Sequence, residues 1–189
     1  MARMSGASER SVSPEVRAVF ERVQTKFGTV LEPISLTAIH PEIFKAYMDY
    51  EASFRSASRL DLKLKELAFL KVAGLIGCPF CLDFGSAEAK RAGIAEEQMR
   101  DLPRYSQSLA FTDAEKLILD LATAMTDNPV KVSESLFLQL QHLFDPAQIL
   151  EITAAIAWEN YRSRFNHALG IEARGFSAGS YCVIPEVHP

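Results

Sequence analysis

Two cysteines separated by two residues can form a reversible dithiol/disulfide couple or supply half of a metal site. Cys78 and Cys81 stand at that spacing, in the stretch Gly77-Cys78-Pro79-Phe80-Cys81-Leu82-Asp83-Phe84-Gly85. Pro79 suits the first turn of a helix, where its missing N–H has no partner to lose. Cys78 is then expected at or just before a helix N-terminus and Cys81 within the first turn. Both sulfurs would meet the positive end of the helix dipole and unbonded N–H groups, which favour thiolate over thiol. The bland alternative is two small apolar residues packed in a core. A metal site needs two further ligands, and His167 and the third cysteine, Cys182, are the candidates, with His40, His142 and His188 behind them. None is paired at a ligand spacing, so no metal is expected.

Glu66 precedes Cys78 by twelve residues. A helix–break–helix hairpin can fold it back beside the cysteines, and burial would raise its carboxyl towards working pH, as a proton acceptor requires. The alternative is a glutamate at a helix edge, paired with Lys63. Asp83 points off the face that carries Cys78 and Cys81 and reads as a surface or helix-terminal charge. Trp158 and Tyr161 read first as core or subunit interface and only second as a substrate wall.

The elements that hold these residues read as helices throughout. Ser13-Pro14-Glu15 opens one, and Val16, Val19, Phe20, Val23 and Phe27 trace its apolar face up to Gly28. A loop holding Pro33 follows, then a helix from His40-Pro41-Glu42 into the serine-rich stretch 53–58. Asp61 caps a helix over residues 62–76 that is apolar on most sides and is therefore expected at the centre. The cysteine helix runs from Pro79 to about Ala92, before Gly93, and a short one covers Glu96 to Asp101. Thr112-x-x-Glu115 is a capping box, Ser133 caps a shorter helix, and Asp145-Pro146-x-Gln148 opens the last, which runs to Phe165 or beyond. No stretch alternates as a strand would. The expected fold is all-α, seven or eight helices in a single-domain bundle spanning residues 14–175, with a flexible N-terminal tail (1–13) and an irregular C-terminal tail (176–189).

With 189 residues, 48% of them hydrophobic and 23% charged, the chain can bury a core without covalent staples. A net charge of −4 argues against nucleic acid or an anionic membrane as partner. No apolar run approaches the roughly 20 residues of a membrane span, and the polar start carries no secretory signal. An odd count of three cysteines is no disulfide framework, so a reducing cytoplasm is the expected compartment. No G-x-G-x-x-G, P-loop or H-E-x-x-H occurs, and no flavin or nicotinamide motif, so no bound cofactor is expected.

Glu66-Leu67 followed by Cys78-x-x-Cys81 resembles the carboxymuconolactone decarboxylase-like superfamily, in particular its AhpD-like alkylhydroperoxidase branch. Arg164-Phe165-Asn166-x-Ala168-Leu169-Gly170 is similar to a segment of that family's longer members, and the resemblance spans roughly residues 40–175. It implies a helical bundle, a homo-oligomer (trimer or hexamer), and reduction of a small hydroperoxide. By that resemblance Cys81 attacks the peroxide, Cys78 resolves it, Glu66 is the base, and an external thiol reductant regenerates the pair. Where the branch carries a histidine four residues after the second cysteine, this chain has Gly85. The missing imidazole leaves a gap beside Cys81, and His167, in the other family-like segment, is the candidate stand-in. The alternatives are a non-catalytic redox-sensing or structural oligomer, with Cys182 in an inter-subunit link, and a decarboxylase-like enzyme acting on a small organic acid. The true lactone decarboxylases lack the cysteine pair.

Overall fold

A computed structural model describes residues 2–186. These residues are all-α, with nine α-helices and no strand among them. The chain divides into two compact units, Met1–Ser56 with Leu169–Ile171, and Ala57–Ala168 with Glu172–Pro189.

The first unit holds α1 (Pro14–Phe27), α2 (Glu32–Thr37) and α3 (Pro41–Ser56). The start of α1 is set locally: the Ser13 hydroxyl accepts the Val16 N–H, Pro14 occupies the first turn, and Gly28 ends the helix at φ 77°. The segment expected as a loop around Pro33 contains α2 instead. Pro33 falls in the first turn, where a proline is compatible with a helix, and six residues are too few for a periodicity to show. Phe20 meets Phe44 edge-on, with ring centroids 6.5 Å apart, and Leu36 and Tyr47 are buried with them. Residues 2–12 have no regular helix, yet Arg3 N donates to Leu169 O and Ala7 N to Ser35 O, both at 2.8 Å.

The second unit holds α4 (Leu62–Ile76), α5 (Pro79–Arg91), α6 (Glu96–Asp101), a 3-10 turn (Leu102–Arg104), α7 (Asp113–Thr126), α8 (Glu134–Leu143) and α9 (Pro146–Ala168). As its near-continuous apolar surface requires, α4 is the central helix and packs against α5, α7 and α9. Leu67, Ala68, Leu70 and Val72 are wholly buried there. Two lysines of α4 are fixed by acids from elsewhere in the unit: Lys65 by Glu151 at 2.7 Å, and Lys71 by Glu186 at 2.7 Å. Lys63 pairs with Glu115 on α7, which leaves the alternative Lys63–Glu66 pairing unmade. Residues 172–186 form no helix but are bonded to α4 and α5 along their length. The last three residues of the C-terminal tail, with His188, lie outside the described residues. No helix among the described residues is long and apolar enough to cross a membrane.

Candidate active site

Gly77, at φ 74°, stops α4 in a conformation that favours glycine, and the chain re-enters a helix two residues later. Cys78 is the N-cap of α5, with extended backbone, and its sulfur accepts the Cys81 N–H at 3.4 Å. One helical turn brings the Cys81 sulfur to 2.9 Å from the Cys78 sulfur, so forming a bond of about 2.05 Å needs little movement. Cys78 has no exposed surface and Cys81 retains 9%.

The two thiols are electrostatically unequal. A hydrogen bond from the Cys81 side chain, aided by the Cys81 N–H, holds Cys78 below the ordinary thiol range despite its burial. The same contact, with burial and the nearby Glu159 charge, pushes the Cys81 thiol well up. Of the two thiols, Cys78 is therefore the easier to ionise.

Three polar residues of α9 surround Cys81, and sequence reasoning missed all three as site residues. Asn166 Nδ2 donates to the Cys81 sulfur at 3.3 Å. Ser163 hydrogen-bonds the same sulfur and lies 2.7 Å from Glu159 Oε1. Glu159 in turn is held by Arg162, whose Nε donates to Oε2 at 2.8 Å. The signal was in the register: Ile149, Ile152, Ile156, Glu159, Ser163 and Asn166 follow one another at alternating steps of three and four, all buried. The apolar stripe of α9 turns polar where it reaches the cysteines.

Glu66, on α4, is half-buried, and its carboxyl is pushed up to about 7. Burial is the main cause, opposed by the Arg162 charge and reinforced by Glu88 and Glu159. The structure thus ties Glu66 to the Glu159–Arg162 cluster and brings Cys78 and Cys81 together. It does not bring His167 to them. That residue lies on the exposed side of the last turn of α9, one position past Asn166. Nor is there a gap at Gly85: a Cβ built there would stand 3.2 Å from Leu70 Cδ2, so α4 already fills the space.

Asp83 is a correction of another kind. Its carboxylate is buried and accepts the N–H groups of Arg174, Gly175, Phe176 and Ser177, and the Ser177 hydroxyl. Phe176 is thereby set edge-on against Phe80 and Phe84, whose rings stack 5.8 Å apart. Trp158 is buried and stacks on the exposed Tyr161, which stacks on Phe165. Cys182 is half-buried with its sulfur 3.6 Å from Val183 O. Among the described residues no three His, Cys, Asp or Glu side chains converge as a metal site would need.

Over residues 41–124 the chain matches the Carboxymuconolactone decarboxylase family. The uncharacterized protein YnjA of Escherichia coli K12 is 33% identical over 161 residues, which cover 85% of this chain and 86% of YnjA. An uncharacterized peroxidase-related protein from Ralstonia eutropha JMP134, with an alkylhydroperoxidase AhpD core, shares the fold at a TM-score of 0.82. It is 18% identical, with 92% of each chain covered. The apo debrominase Bmp8 shares it at 0.80 and 20% identity, over 92% of this chain and 94% of its own. Family match, close relative and shared helical architecture agree: the chain belongs to the carboxymuconolactone decarboxylase/AhpD-like superfamily.

Proposed function

We propose that the protein is a thiol-based oxidoreductase that reduces small hydroperoxides by cycling Cys78 and Cys81 between dithiol and disulfide. The observation that carries this reading is the geometry of the pair: sulfurs 2.9 Å apart at a helix N-terminus, with the more accessible one bonded to Asn166. Cys81 is the attacking sulfur. Its proton leaves through the Ser163 hydroxyl to Glu159, while Cys78 keeps its own. Glu66, poised near neutrality, stores the proton that the cluster releases. The Cys81 thiolate then attacks the terminal oxygen of R–O–O–H and the O–O bond breaks. The leaving alkoxide takes the stored proton and departs as alcohol, and Cys81 becomes a sulfenic acid. The Cys78 thiol attacks the Cys81 sulfur, the S–OH bond breaks, and hydroxide leaves as water with the Cys78 proton. An external thiol returns the disulfide to dithiol. Exposed Leu138, Leu143 and Leu150 support a homo-oligomer, trimer or hexamer, to be tested by sedimentation.

Hydroperoxide consumption with a dithiol donor tests the reading on wild type, Cys81→Ser and Cys78→Ser. Wild type turns over, Cys81→Ser is inactive, and Cys78→Ser stops after forming one sulfenic acid per chain. Equal, slow consumption by all three sinks the proposal, and an oxidised Cys182 link in place of Cys78–Cys81 would favour a redox-sensing oligomer.

A second reading rests on the ring cluster of Phe80, Phe84 and Phe176 on the cysteine helix, which suits an aromatic substrate. The same dithiol could reduce an activated aryl bromide: Cys81 takes the bromine, the carbanion is protonated, and Cys78 expels bromide as the disulfide forms. Bmp8 is called a debrominase. Bromide release from a bromopyrrole in the same assay distinguishes the two.

A further inference from the structure

We propose that Asn166 is a catalytic residue whose Oδ1 accepts a hydrogen bond from the O–H of the hydroperoxide while its Nδ2 holds the Cys81 sulfur. This rests on the peroxidase reading above and assigns the atom that recognises the substrate's terminal oxygen.

Asn166 is 3% exposed, and its Nδ2 bond to Cys81 fixes the side chain against the sulfur. Among the described residues Oδ1 is the one buried side-chain oxygen or nitrogen that finds no hydrogen-bond partner. Leaving a buried amide oxygen unpaired is costly, and a protein tolerates that cost where a ligand supplies the missing donor. The position of the atom decides what that donor is. Oδ1 and Nδ2 share one planar carboxamide, so an atom within bonding reach of Cys81 also lies beside Oδ1. A hydroperoxide attacked by Cys81 presents there an oxygen that carries a hydrogen.

The pairing matches the reaction coordinate. As the S–O bond forms and the O–O bond breaks, the S–O–H unit lies against the amide as a carboxylic acid lies against an amide. Sulfur accepts from Nδ2 and the hydroxyl donates to Oδ1. The O–H proton is never transferred; it stays on the oxygen that becomes the sulfenic acid, and the alkoxide leaves from the other side. Substrates with a terminal O–H are favoured over dialkyl peroxides, which cannot donate to Oδ1.

The test compares two reactions of the same sulfur in the reduced, full-length protein: oxidation by cumene hydroperoxide and alkylation by iodoacetamide, which brings no O–H. For Asn166→Ala the ratio of the peroxide rate to the alkylation rate is expected to fall on the order of 100-fold. Asn166→Asp keeps the acceptor and loses the donor, so both rates fall and the ratio stays within about fivefold of wild type. Circular dichroism establishes that each variant is folded, and Asn166→Asp, being isosteric, serves where the alanine variant is not. A ratio unchanged in Asn166→Ala, or one that collapses in Asn166→Asp, overturns the assignment while leaving the peroxidase reading intact. Wild type that alkylates but ignores hydroperoxide removes both.

Discussion

Asp83 Oδ1 accepts two hydrogen bonds from Ser177, from the backbone N–H at 2.9 Å and from the hydroxyl at 2.7 Å. The second oxygen takes three more N–H groups from residues 174–176. A carboxylate two residues after Cys81 thus organises a segment more than ninety positions away in the chain and sets Phe176 against the cysteine helix. The chemistry of the pair and the order of the C-terminal segment share one helix.

The first prediction follows from that carboxylate. Burial would raise the Asp83 carboxyl, but the bonds from Ser177, Arg174 and Phe176 overrule it and hold the group below its ordinary value of 3.8. A depressed acid stabilises the fold above its unfolded value and loses that contribution as pH falls through the folded value. Asp83→Ala is expected to cost about 3 kcal/mol at pH 7, a fall in Tm of about 6–12 °C. The difference from wild type should shrink below pH 3.8. Calorimetry at pH 7 and pH 3 checks both. An equal difference at the two values would mean that Asp83 acts by packing alone.

Asp83 also shows where the sequence stops being legible. The helix ends could be read because their causes are local: Ser13, Asp61, Ser133 and the Thr112–Glu115 box cap their own first turns, and Gly28 and Gly77 stop theirs. The cysteine pair was legible for the same reason, since Pro79 and the spacing fix both sulfurs within one turn. What Asp83 touches lies beyond any periodicity, and a lone acid near a helix start has an ordinary solvent reading. Glu159, Ser163 and Asn166 were hidden differently. Each is unremarkable alone, and only their place in the stripe of Ile149, Ile152 and Ile156 marks them as inward-facing. His167 attracted attention by residue type, but one position along a helix is a turn of about 100°, and the neighbouring Asn166 takes the inward place.

The buried Lys71–Glu186 pair gives the second prediction. The lysine side chain is 4% exposed and joins α4 to a residue near the end of the described chain, where Glu186 N also donates to Gly74 O. Removing one partner leaves the other charged and buried, so Glu186→Leu is expected to cost about 3–5 kcal/mol. The double variant Lys71→Met/Glu186→Leu should recover most of that loss, because the desolvated charge is gone. Urea unfolding of the two singles and the double closes the cycle. Additive losses would show that the ion pair itself is not the coupling.

Gly85 allows a third. Because its Cβ position lies 3.2 Å from Leu70 Cδ2, Gly85→His alone is expected to overpack the α4–α5 contact and cost about 2 kcal/mol. Leu70→Ala opens that space at its own cost of about 2–5 kcal/mol, and the double variant should be more stable than the sum of the two losses by about 1 kcal/mol or more. If the imidazole then reaches Cys81, the alkylation rate of that thiol at pH 7 rises. Additive destabilisation with no change in thiol reactivity would mean that a histidine at this position faces elsewhere.

Glu66 carries a cost and a benefit that can be measured on the same variant. Its carboxyl stands at about 7 in the folded protein against an ordinary 4.5, a difference of 2.5 in pKa. A raised group contributes stability that is complete below the unfolded value and disappears as pH rises through the folded one. At pH 8 the wild type therefore carries an ionised, desolvated Glu66, and Glu66→Gln should be more stable by about 3 kcal/mol, a gain that vanishes near pH 4. Activity should move the other way. Below pH 7 a protonated Glu66 cannot take up the proton that leaves the thiols, so kcat/KM with hydroperoxide rises with pH through about 7 in wild type. In Glu66→Gln that rise is lost and the plateau drops on the order of 100-fold. A variant that is more stable and keeps its rate and its pH profile would leave Glu66 as a buried acid with no part in the chemistry. One that is more stable, slow and flat in pH assigns it the proton.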